Sequence, residues 1–130
     1  MSDDLTVSVT FHARGNDVTI WNALGFGAAT GLHLRIVDSS GHENRGFPEI
    51  FHPLPPDRTG KNALISLMGN SFAGFDFRIS ARQLFPKPGK YILKCIYSPP
   101  LPRDYFQGQT IWGKEDGSLE SAGVSILVSE

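Results

Sequence analysis

The chain has 130 residues, 40% of them hydrophobic and 19% charged, with a formal net charge of −1. That length suits one domain over residues 1–130 with one core, and the near-neutral balance provides no general field for nucleic acid or an anionic membrane. Its 14 Gly and 9 Pro point to many turns and an all-β chain rather than a helical or disordered one, and the single cysteine, Cys95, excludes an internal disulfide and any zinc site that needs two cysteines.

No apolar run approaches the roughly 20 residues of a membrane helix. The start, Met1-Ser2-Asp3-Asp4, is acidic and has no apolar signal region. Two locations stay open on this reading: export, if a signal was removed, or otherwise the cytoplasm.

Residues 5–12 alternate, with Leu5, Val7, Val9 and Phe11 on one side and Thr6, Ser8, Thr10 and His12 on the other, which predicts a half-buried strand. Arg14-Gly15-Asn16-Asp17 is a turn by composition. Residues 18–21 open a second strand, which pairs with its neighbour or crosses to a facing sheet. Trp21 has the opposite parity to Val18 and Ile20, so with those two in the core its ring is expected to face outward.

Residues 22–31 are small and Gly-rich but lack the Lys-Ser/Thr ending of a phosphate loop, and no helical pattern follows, so nucleotide binding is not expected. A strand over 32–38 alternates apolar with polar and basic side chains and ends at Ser39-Ser40-Gly41-His42. Residues 43–62 include Pro48, Pro53, Pro55 and Pro56. Proline lacks a backbone donor, so this stretch predicts a surface loop with at most a short edge strand.

A short apolar strand over 63–68, a turn at Gly69-Asn70-Ser71 and a strand over 72–79 with Phe75, Phe77 and Ile79 inward come next. Residues 80–85 suit one helical turn that drops Leu84 or Phe85 into the core. Pro86-Lys87-Pro88-Gly89 then stops the chain, and the residues after it read as one long central strand ended by Ser98-Pro99-Pro100. In such a Gly-x-Tyr start, the Tyr91 ring packs under the corner and its hydroxyl returns to a backbone group of the preceding turn. Cys95, on the same strand, reads as a small buried hydrophobe. A second proline loop follows at 99–104, then a strand or loop over 106–112, a turn at 114–117 and a closing strand over 124–128.

With Leu84-Phe85, Pro88-Gly89-Lys90-Tyr91, Tyr97-Ser98-Pro99, Trp112, residues 117–121 and Val124-Ser125-Ile126, the second half of the chain resembles immunoglobulin-like β-sandwich domains of uncharacterised bacterial proteins. The expected fold is therefore all-β: an Ig-like antiparallel sandwich of about seven to nine strands with Greek-key connections. No catalytic residue is implied by the resemblance.

The residues themselves offer little chemistry. His12, His33, His42 and His52 have no ligand spacing, and no Gly-x-Ser-x-Gly or His-Glu-x-x-His motif occurs, so neither a metal, a cofactor nor an enzymatic activity is expected. The reading is a non-catalytic accessory module that presents its proline-rich loops, 47–60 and 99–106, to a protein partner. Arg103, Tyr105, Phe106 and Trp112 are the candidate contacts, since Trp, Tyr and Arg are the usual interface anchors. The alternative is a carbohydrate-binding module that holds sugar faces on Trp21 and Trp112. Each ring also has a plainer reading, as a cover over an open edge of the core.

Overall fold

The computed structural model describes residues 4–21, 31–44, 58–59 and 64–129. Within them the chain is all-β, with nine strands, all paired antiparallel: β1 (Asp4–His12), β2 (Val18–Trp21), β3 (Leu32–Asp38), β4 (Glu43–Asn44), β5 (Leu64–Leu67), β6 (Phe72–Ser80), β7 (Gly89–Tyr97), β8 (Leu119–Glu120) and β9 (Val124–Val128). One helical turn, α1 (Ala81–Leu84), precedes β7. The alternation expected in β1 and β6 is observed: Thr6, Ser8, Thr10 and His12 are exposed, while Phe11 and Ile79 are buried.

β1 and β2 run against β6 and β5 as one interrupted ribbon. β1 pairs with β6 from Asp4–Ser80 to His12–Phe72, and β2 pairs with β5 from Val18–Leu67 to Trp21–Leu64. At the joint, residues 13–17 stand opposite residues 68–71, so one strand carries an extra residue and the ribbon bends. The joint is hydrogen-bonded rather than loose: the Ala13 amide donates to Ser71 O (2.9 Å), the Asn70 amide to Ala13 O (2.7 Å) and the Gly69 amide to Asp17 Oδ1 (2.8 Å).

The larger sheet has five strands. β7 lies in its middle, with β3 and then β4 on one side and β8 followed by β9 along the other. Its central place agrees with its apolar sequence. Between Ile96–Glu120 and Leu93–Val124 the pairing slips by one residue, because residues 121–123 stand opposite Lys94 and Cys95. At this bulge the Ser121 hydroxyl oxygen accepts from the Cys95 amide (2.9 Å), and Cys95 O accepts from the Ser121 amide (2.9 Å).

The corner before β7 is built as its residue types require. Leu84 and Phe85 both enter the core, Leu84 at 0% exposure. The Phe85 amide closes α1 on Ala81 O (2.8 Å), the Tyr91 hydroxyl donates to Lys87 O (2.6 Å), and the Phe85 and Tyr91 rings lie 4.9 Å apart. Inward residues of all three sheets share one core, in which Phe11 of β1 meets Tyr97 of β7 edge-on with centroids 5.2 Å apart. Cys95 is half-buried on this side, and burial pushes its thiol up to about 11.

Candidate functional site

Beyond β7 the chain enters the loop of residues 99–117, which carries all four candidate contact residues. Its entry is fixed by the Ser98 amide donating to Gly31 O (2.8 Å). Gly31 has φ +89°, and a Cβ there would overlap Ser98 O, so this approach of loop to strand needs glycine. The strand allowed for over 106–112 does not form among the described residues. The stretch instead folds back along the start of the loop, with the Ile111 amide donating to Arg103 O (3.1 Å) and the Lys114 amide to Leu101 O (3.0 Å). Where the two strands of the loop cross, a Cβ on Gly113 would overlap the backbone of Pro102 and Arg103.

A second, smaller core lies under this loop. It contains Trp21, Phe106 and Ile111, with Leu64, Leu101 and Tyr105 packed against them. The outward placement expected of Trp21 fails for a specific reason. β2 does alternate, with Ile20 in the main core and Trp21 on the other side, but that other side is covered by the loop and Trp21 is only 5% exposed. Phe106, a candidate contact, is 2% exposed and holds the loop down instead of meeting a partner. Trp112 is half-buried against the main core; its amide donates to Thr19 O (2.8 Å) and its indole Nε1–H to Gly117 O (3.0 Å). The Trp21 and Trp112 rings therefore do not make a paired platform on the surface.

Arg103 and Tyr105 keep solvent-facing parts, as does the half-buried Trp112. The Arg103 amide donates to Glu115 Oε1 (3.0 Å), while its guanidinium grips Asp116 through Nη2–Oδ1 (2.6 Å) and Nε–Oδ2 (3.4 Å). Asp116 Oδ2 also accepts from the Gly113 amide (2.8 Å) across a 3₁₀ turn, Lys114–Asp116. The hydrogen bond from Arg103, helped by that from Gly113, holds the Asp116 carboxyl below the usual carboxylate range; the same bond and charge raise Arg103. The Tyr105 ring meets Phe106 edge-on at 5.0 Å and carries the Arg58 guanidinium over it at 4.9 Å. The Gln107 amide donates to Arg58 O (2.6 Å), which fastens this loop to the Arg58–Thr59 turn.

Sequence reading missed Arg58, Glu115 and Asp116. The only signal was an acidic pair inside the turn predicted at 114–117 and an arginine inside the 47–60 loop, and neither specifies a partner without the fold. Most of the 47–60 loop lies outside the described residues, as does His52. Among the described residues no three His, Cys, Asp or Glu side chains gather as a metal site would require, and no helix is long and apolar enough to cross a membrane. Comparison with protein-family models, with curated proteins and with solved structures finds no match to this chain.

Proposed function

We propose that the chain is an immunoglobulin-like β-sandwich with Greek-key connections, acting as a non-catalytic interaction module that takes a protein partner on the 99–117 loop. The sandwich reading is supported by the antiparallel all-β architecture, by the core shared between sheets and by the Tyr91 corner. One observation carries the function: Tyr105, with Arg58 stacked on it, and Arg103 stand on a loop whose backbone is anchored from beneath by Phe106 and Ile111. Anchors held in place before binding lose little side-chain and loop entropy on association, and Arg and Tyr are the residue types that contribute most at protein interfaces.

The test compares wild-type protein with the Arg58→Glu/Tyr105→Ser double variant as immobilised baits for proteins of the source cell, with near-UV circular dichroism to check that both are folded. A protein retained by the wild type should bind the variant at least about tenfold more weakly. Retention of the same proteins by both baits would remove the loop from the interface.

A further inference from the structure

Two arginines reach the surface at this loop, and only one of them has its charge answered. The Arg103 guanidinium is paired with Asp116, its amide donates to Glu115, and Asp104 adds to the field on it, so the three acidic residues of the 99–117 loop all lie about Arg103. Among the described residues no carboxylate pairs with Arg58. Arg58 is held in place nonetheless. Its Cζ stands 4.9 Å from the centroid of the Tyr105 ring, that ring rests edge-on against the buried Phe106, and Arg58 O accepts from the Gln107 amide (2.6 Å).

A ring contact steadies a guanidinium and still leaves N–H donors of its fork for an anion. Two parallel donors of that fork match the two oxygens of a carboxylate. Arg14, Lys87, Lys90 and Lys114 are also exposed cations, but none of them has a ring contact. Each of those long side chains must give up its rotamer freedom to hold an acid, whereas the Tyr105 contact already restricts Arg58.

We infer that the protein partner presents a carboxylate, the side chain of an aspartate or glutamate, to the fork of Arg58. The inference rests on the loop reading above and adds the chemistry of the partner's contact. A carboxylate suits a single fork better than a phosphate does, because phosphorylated segments are held by clusters of arginines and Arg103 is already neutralised by Asp116. The same charge selects among partners. An apolar group set against Arg58 would strip water from the cation and return no acceptor, and a basic group would add repulsion.

Short peptides of random sequence, displayed on phage and selected on the immobilised whole chain, test it. Enriched peptides should share an acidic position. Made synthetically, they should lose at least about tenfold in affinity when that residue is changed to glutamine, and as much when the chain carries Arg58→Gln. Combining the two changes should add little, since both remove one contact. Arg58→Lys keeps the charge but not the fork, and should bind more weakly than the wild type. Peptides that lose affinity on Tyr105→Ser but share no acid overturn the carboxylate contact and leave the loop reading standing. Peptides indifferent to Arg58→Glu/Tyr105→Ser overturn both. No enrichment at all, or tighter binding once phosphoserine replaces the acid, also overturns the proposal.

Discussion

The corner at residues 84–91 and the loop at 99–117 solve the same problem by different means. Each brings an irregular stretch back on to a core. The corner does so with residues close in sequence: Tyr91 reaches Lys87, and the Phe85 ring lies tilted against that of Tyr91. The loop depends on residues far apart: Trp21 from β2, Leu64 from β5 and Arg58 from a turn all meet Phe106, Tyr105 or Ile111. The corner's own contacts are written within a few residues, whereas the loop's contacts join segments far apart in the chain.

The strongest way to break this contrast is Trp21→Ala, which removes the largest side chain of the small core. A loss of about 3–5 kcal/mol in urea unfolding is expected, with the 101–114 amides losing hydrogen-exchange protection before those of β7. Next is Gly113→Ala. Overpacking against Pro102 and Arg103 should cost about 1–3 kcal/mol and shift the Trp112 indole resonance, with the resonances of the corner unmoved. Tyr91→Phe tests the other side of the comparison: loss of one hydrogen bond should cost about 0.5–1.5 kcal/mol and leave the loop intact.

Acid should act more weakly, and mainly on the loop. The folded-state pKa of Asp116 is depressed, first by the Arg103 hydrogen bond, so its charged form stabilises the loop above the unfolded carboxylate value and that contribution disappears as pH falls through the folded one. Gly113 amide and Trp112 indole shifts recorded from about pH 5 downward past the ordinary Asp value of about 3.9 should follow this change, and Asp116→Asn should abolish it. Asp38 shifts in the same direction, chiefly through Ser40, and its turn marks the response outside the loop. The smallest effect concerns Cys95: with its thiol near 11, alkylation at neutral pH should be far slower than for a free cysteine, accelerating only as pH approaches that value.

The strands were legible because period-2 alternation is local. Thr6, Ser8 and Thr10 mark one face of β1 without reference to any other element, and the corner at Tyr91 is written within eight residues. The candidate site was legible only in part. Arg103, Tyr105 and Trp112 keep exposed parts; Trp21 looked like a surface ring because parity says which side a residue takes, never whether that side meets water, and Phe106 because it follows a proline-rich loop.

Sequence by itself determined the all-β class, most strand positions and the corner, since each depends on backbone geometry and residue patterns a few positions apart. Tertiary structure alone decided that β2 is buried on both faces, that Glu115 and Asp116 hold Arg103, and that β9 forms an outer edge. Those outcomes depend on which distant segments come to lie against one another, and that is set by burying all the apolar surface at once.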